Sequence, residues 1–169
     1  MSAPQHIIVM GVSGAGKSTT GEALAEYLGW PFTEGDAFHP AANVEKMHAG
    51  IALDDTDRDP WLHALSDELG RFEARGQSSV MGCSALKRSY RDILRSGAPR
   101  VRFLLVHGPR EVLAERLANR KGHFFAPSLL DSQLQTLEML GPDEDGAVID
   151  MSLSPEEQVK EAVRLLKLE

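Results

Sequence analysis

Residues 11–18 read Gly-Val-Ser-Gly-Ala-Gly-Lys-Ser, a complete G-x-x-x-x-G-K-[ST] loop. An apolar run, Ile7-Ile8-Val9-Met10, precedes it, and a helix-like stretch follows. That order constrains the fold strongly. A strand must deliver the chain to the loop, glycines must let the backbone turn inward, and a helix must start where the loop ends. Consecutive N–H groups then surround a polyphosphate, and the helix aims its positive end at the same anion. Lys17 adds a full charge at the β/γ-phosphates, and the Ser18 hydroxyl can take a place on Mg²⁺. The expected cofactor contacts are Gly11, Ser13, Gly14, Ala15, Gly16, Lys17, Ser18 and Thr19, with Ser18 as the metal contact. The bland alternative is a glycine-rich turn that holds nothing.

The rest of the chain reads as one domain around that loop. Its 169 residues suit a single core. A net charge of −7 argues against a nucleic-acid face, so any basic cluster should serve a small anion. One cysteine, Cys83, excludes an internal disulfide. No apolar run approaches a membrane span, and the first residues carry no signal pattern, so a cytoplasmic protein with no membrane partner is expected. Apolar runs alternate with helical periodicity, which predicts an α/β protein with a parallel sheet. The expected strands are 6–10, 31–34, 79–83, 101–106 and 147–151. Helices are expected over 17–28, 42–48, 60–75, 89–95 and 129–140, with one starting near Pro109 and a last one after the Ser154–Glu157 capping box. Leu24, Tyr27 and Leu28 should share the inner face of the first helix. Five strands with helices on both sides make a three-layer α/β/α sandwich, whose ligands collect at the carboxyl ends of the strands.

Those strand ends carry chemistry. Asp36, after the second strand, faces the phosphate loop; it can take a proton from an attacking hydroxyl or hold a water on Mg²⁺, or merely close an Asx turn. His39 reads equally as a turn residue and as a substrate contact. Arg58 suits a bidentate grip on a carboxylate or a diol, against a plain salt bridge to its acidic neighbours. Asp57 or Asp59 is expected to cap the helix that starts near Pro60, and Trp61 to lie in the core. Lys87, Arg88 and Arg91 place three cations within five positions, which suits an anionic acceptor or a solvated helix face. Cys83 reads as a small buried residue. Arg116 and Arg120 lie four apart on one helix and lead into Lys121-Gly122-His123-Phe124-Phe125, a pattern that suits a closing lid over about 116–138. One arginine would stack on adenine and the other would neutralise the moving phosphoryl group. The histidines form no metal set. A nucleotide switch is a weaker reading: Asp67–Gly70 and Asp143–Gly146 both spell D-x-x-G, but neither follows a strand and no N-K-x-D motif exists. A silent sugar-acid sensor also stands as an alternative.

Taken together, the motifs resemble the gluconokinases among the small P-loop kinases, relatives of shikimate and adenylate kinases. The residues that carry the resemblance are Gly11 to Ser18, Gly35-Asp36 with His39-Pro40, Asn43 with Glu45-Lys46-Met47, and Leu53-Asp54-Asp55 with Asp57-Arg58 and Pro60-Trp61-Leu62. Cys83-Ser84-Ala85-Leu86-Lys87 with Tyr90-Arg91-Asp92, Arg120 to Phe125, Gln133 and Thr136-Leu137-Glu138 complete it. Met139-Leu140 departs from it where many members have a proline. The resemblance implies a P-loop kinase fold spanning 1–169, ATP with Mg²⁺, and phosphorylation of D-gluconate to 6-phospho-D-gluconate by a cytoplasmic homodimer. The product would feed sugar-acid catabolism. On this reading Lys17, Asp36 and Arg120 are catalytic, and Arg116 and Arg120 reach the nucleotide. Asp36, His39, Arg58, Ser84, Lys87, Arg91 and His123 contact the acceptor. Which cation meets the carboxylate stays open at this level.

Overall fold

A computed structural model describes residues 3–119 and 127–168. Strands β1 (His6–Met10), β2 (Phe32–Glu34), β3 (Ser79–Gly82), β4 (Val101–His107) and β5 (Gly146–Asp150) form one parallel sheet in the order β2-β3-β1-β4-β5. The helices are α1 (Lys17–Leu28), α2 (Ala41–His48), α3 (Asp55–Ala74), α4 (Arg88–Arg95), α5 (Arg110–Ala118), α6 (Pro127–Thr136) and α7 (Pro155–Leu166), and a 3₁₀ turn, Gly35–Phe38, leads from β2 toward α2. All five residues of β1 are buried, which is why the sequence there is continuously apolar rather than alternating. From β1 the chain runs toward β2 at one edge, and from β4 toward β5 at the other. The connections therefore diverge around the end of β1, where a parallel sheet opens its ligand crevice.

Helix α1 packs on α7, and α3 on α4. Right-handed crossovers put these pairs on opposite faces, which gives the expected three layers. Leu62, Leu65, Leu69 and Phe72 of α3 and Val159, Ala162 and Leu166 of α7 are buried as their periodicity demands. The Ser154 hydroxyl accepts from the Glu157 N–H and the Glu157 carboxylate from the Ser154 N–H, so the expected capping box is present.

One buried face and two helix boundaries differ from expectation. Tyr27 is 62% exposed; the buried stripe of α1 is Thr20, Gly21, Leu24 and Ala25. Helix α3 starts at Asp55, not Pro60, because Asp54 and Asp57 form a capping box built of two aspartates: Asp54 Oδ1 accepts from the Asp57 N–H at 2.8 Å, and Asp57 Oδ2 from the Asp54 N–H at 3.0 Å. Asp57 thus belongs to the cap, but as the reciprocal partner, and Asp59 lies inside the helix. Pro60 sits in its second turn, where the carbonyl it deprives of a partner belongs to exposed Thr56. Helix α6 stops at Thr136 because the next segment bonds elsewhere. The Glu138 N–H donates to Leu86 O at 2.7 Å, and the Glu138 carboxylate accepts from the Arg88 N–H at 2.9 Å.

That segment ends in the Gly141–Glu144 turn, which carries the partner of Arg91. The Arg91 side chain is 0% exposed. Its Nε and Nη2 donate to the Glu144 carboxylate at 2.7 and 3.0 Å, and Nη1 donates to Ala85 O at 2.9 Å. The structure therefore does not support Arg91 as an acceptor contact: its donors are consumed inside the fold. Burial works against the Glu144 charge, but Arg91, the Gly141 N–H and Arg95 outweigh it and hold the carboxyl at about 2. A depressed carboxyl stabilises the fold above its ordinary value of 4.5 and loses that contribution as pH falls through about 2. Glu144→Gln is expected to lose this part of the acid limb in stability–pH profiles. At neutral pH it should cost about 3–5 kcal/mol in denaturant unfolding, the scale for stranding one member of a buried pair. An unaltered acid limb would contradict the assignment.

Candidate functional site

The phosphate loop leaves β1 and enters α1 through Gly16, which caps the helix at φ 92°, a left-handed conformation that an L side chain resists. No side chain caps α1. Its first-turn N–H groups therefore remain suited to an anion. Ser13, Gly14, Gly16, Lys17, Ser18 and Thr19 line a cavity of 310 Å³ with Asp36 and Arg116. Gly11 and Ala15 shape the loop rather than line that cavity; the Gly11 N–H donates to Ser84 O at 3.3 Å, and Ala15 is buried. Lys17 Nζ reaches Val12 O at 3.3 Å. Arg116, on α5, donates to Met151 O at 2.9 Å, which pins its guanidinium at the cavity edge. A ring of main-chain N–H groups, two cations and one carboxylate suits a polyphosphate carrying a metal.

Metal chemistry falls to oxygen. The Ser18 hydroxyl donates to the Glu34 carboxylate, and Asp36 follows two residues later. These hard ligands suit Mg²⁺. Glu34 was missed by sequence reasoning; as the last residue of β2 it stood one position outside the segment inspected after that strand.

Asp36 is carried to the loop by a close backbone approach. A Cβ on Gly35 would lie 2.3 Å from Gly82 O, so only glycine lets the end of β2 approach β3 this closely. Trp61 Nε1 donates to Gly35 O at 2.8 Å and holds the turn from α3. A second cavity begins there. Ser13, Lys17 and Asp36 line it as they line the first, and His39, Arg58, Trp61, Ser84 and Gln133 are among its other walls. The His39 ring stacks on Trp61 with centroids 4.0 Å apart and planes at 18°. Trp61 is both core and wall, a double role its sequence position did not reveal. Gln133 of α6 accepts from the Ser13 N–H at 2.7 Å, tying α6 to the loop.

Arg58 is only 9% exposed and donates to Tyr90 Oη at 2.8 Å. Tyr90 donates in turn to Asp55 Oδ1 at 2.5 Å, and Lys87 Nζ reaches the same oxygen at 3.0 Å. The Tyr90 hydrogen bond, then Lys87, hold the Asp55 carboxyl below its ordinary value, and Asp55 with Tyr90 raises Lys87. Lys87 lines a shallower groove beside the second cavity, and Arg58 lines both. Arg120 and His123, with the residues between them, lie outside the described residues.

This geometry is shared with known proteins. A model of an AAA domain matches residues 7–140. A gluconokinase of Gluconobacter oxydans is 46% identical over 98% of this chain and 93% of its own length, and a thermoresistant gluconokinase of Escherichia coli is 42% identical over 96% and 94%. The crystal structure of a gluconokinase from Sinorhizobium meliloti superposes with a TM-score of 0.88 at 48% identity, covering 99% of this chain and 94% of that one. Fold and family define a P-loop kinase of small molecules, and its two cavities share Lys17 and Asp36. Within that class the chain belongs to the gluconokinase family.

Cys83 ends this strand edge without taking part. It is fully buried, and burial pushes its thiol up to about 12. At pH 8 the native protein should react with an aromatic disulfide reagent about 100-fold or more slower than the unfolded chain, since the thiolate is the nucleophile. Rapid stoichiometric labelling of native protein would show an accessible thiol.

Proposed function

We propose that the chain transfers the γ-phosphoryl group of ATP to the terminal hydroxyl of D-gluconate, giving 6-phospho-D-gluconate and ADP. The observation that carries this reading is that Lys17 and Asp36 line both cavities, so a phosphoryl donor and a hydroxyl acceptor would meet between them. The acceptor oxygen bonds to phosphorus, the β–γ bridge breaks, and the hydroxyl proton passes to the Asp36 carboxylate or is oriented by it. Mg²⁺ at Ser18, with Glu34 and Asp36 alongside, would supply charge neutralisation at the phosphates. Lys17 neutralises the same oxygens, and Arg116 borders them. Arg58 is the acceptor's cation in the cleft, Lys87 flanks it, and Ser84 and His39 offer polar contacts. The segment of about 116–138 is read as a lid, and Arg120 and His123 within it lie outside the described residues. The chain acts as a single kinase domain in a cytoplasmic homodimer, and its product enters pentose phosphate or Entner–Doudoroff catabolism. No helix among the described residues is long and apolar enough to cross a membrane.

A coupled ADP assay of gluconate against related sugar acids tests the substrate; absence of gluconate turnover with turnover of another acid would reassign it. Asp36→Asn is expected to lower kcat by ~10²-fold or more, the scale of losing a general base, with ATP affinity little changed. Normal turnover in that variant would remove Asp36 from the mechanism. Arg58→Ala should raise the gluconate KM and leave the ATP KM in place; an unchanged gluconate KM would reduce Arg58 to a partner of Tyr90.

A further inference from the structure

Asn43, on α2, is almost fully buried at 3% exposure behind the acceptor cleft. Its amide nitrogen Nδ2 lies 2.9 Å from Asp57 O, a main-chain carbonyl. A carbonyl only accepts, so the atom facing it must be the NH₂ group, which fixes the orientation of the amide. The same nitrogen lies 3.1 Å from His39 Nδ1. An amide nitrogen only donates, so Nδ1 must accept and carries no proton. A neutral imidazole has one proton, which is then on Nε2.

The rest of the pocket agrees. Burial lowers the His39 pKa; Asp36 pulls it upward, and Arg58 pushes it down. Lys17 borders the same cavity. Charging the ring would place an N–H of Nδ1 against the N–H of Asn43. The stack on Trp61 fixes the ring plane, and the Asn43 bond fixes its rotation within that plane. Nε2 has no hydrogen-bond partner among the described residues, and His39 lines the cleft with Asp36 and Arg58.

We propose that Asn43 is a positioning residue that locks His39 as the neutral Nε2–H tautomer, making the ring a fixed hydrogen-bond donor to a hydroxyl oxygen of the acceptor. This rests on the reading that the cleft beside Trp61 holds a polyol acid. The chemistry suits one: a hydroxyl accepts from Nε2–H with its oxygen and donates its proton to a carboxylate such as Asp36. A carboxylate group of the same molecule falls to Arg58.

The tautomer is read directly in long-range ¹H–¹⁵N spectra of ¹⁵N-histidine-labelled protein without substrate. At about pH 7, where the switch range of histidine lies, His39 is expected as Nε2–H. A ring protonated at Nδ1, or charged, overturns the proposal whatever the substrate proves to be. Asn43→Asp replaces the donor with an acceptor and should move the proton to Nδ1. The gluconate KM should then rise about 10-fold, the scale of one well-made hydrogen bond, with the ATP KM unchanged. In a His39→Gln background, where the donor no longer depends on a tautomer, Asn43→Asp should leave the gluconate KM in place. An equal effect of Asn43→Asp in both backgrounds would mean that it acts through the α2–α3 contact with Asp57 O, and would overturn the positioning role. Failure of wild-type protein to turn over gluconate would instead refute the substrate, and the wild-type spectrum would still decide the tautomer.

Discussion

The site depends on how closely two backbones approach at the ends of β2 and β3. Gly35 lies against Gly82 O at a distance that excludes a Cβ. Its own carbonyl takes the Trp61 indole proton. The first contact sets where the chain turns, and the second sets where α3 sits over the turn. Asp36 therefore reaches the cavity of the phosphate loop, and Trp61 offers its face to His39. Parallel pairing of β2 with β3 and of β3 with β1 carries this placement across the sheet to Lys17. A side chain at Gly35 would push the end of β2 outward and separate the carboxylate from the lysine. The placement of Asp36 beside the phosphate loop is thus a property of main-chain packing rather than of side-chain reach.

The cations of this acidic chain divide by what it costs to release them. Arg91 is buried with Glu144, and releasing it would strand a charge at about 3–5 kcal/mol. It holds Ala85 O and with it the segment that follows β3. Ala85 there takes a φ of 45°, uncommon for a residue with a side chain, and the Arg91 bond to its carbonyl helps keep it so. Lys87 is paired with Asp55 at the surface, where an ion pair is cheap to break. On the proposed reading it can exchange that partner for an acceptor oxygen at little cost. Arg58 lies between these limits: shielded, it lines the cleft with the neutral Tyr90 Oη as its hydrogen-bond partner.

This division explains what was and was not legible in the sequence. Strand β1, the phosphate loop and α1 were readable because their pattern is local: an apolar run buried on both faces, fixed glycines and a helix start. The placement of Asp36 was readable because a strand end in a parallel sheet points to one edge. Lys87 and Arg91 looked alike, four residues apart and both basic. Only the path of the chain from α6 to Glu144, across 53 positions from Arg91, makes one internal and leaves the other at the groove. The start of α3 was misread for a similar reason. Pro60 suggested a first turn, but an aspartate capping box that starts six residues earlier, at Asp54, supplied the N–H partners and overrode that signal. Glu34 stands in no motif, and Asn43 stands in one that gives it no role; each matters through the atom it meets, Ser18 Oγ for one and His39 Nδ1 for the other.

On the proposed reading, the acceptor cleft has a chemical logic that the donor cavity lacks. The phosphate loop recognises charge and shape, so any nucleoside triphosphate satisfies most of it. Beside Lys17, which it shares with the donor cavity, the cleft instead combines a carboxylate acceptor in Asp36, a neutral donor in His39, a second cation in Arg58 and an aromatic wall in Trp61. A ligand that fills all four needs a hydroxyl able to give and take a proton bond, and an anion at another point along its length. A neutral sugar leaves Arg58 without an anionic partner, and a simple carboxylic acid leaves Asp36 and His39 unpaired. Arg58 is largely buried, and an unmade hydrogen bond at a buried polar group costs about 1–3 kcal/mol, so a neutral sugar is penalised there about fivefold or more. Discrimination of this kind comes from polar groups left without partners rather than from cavity size.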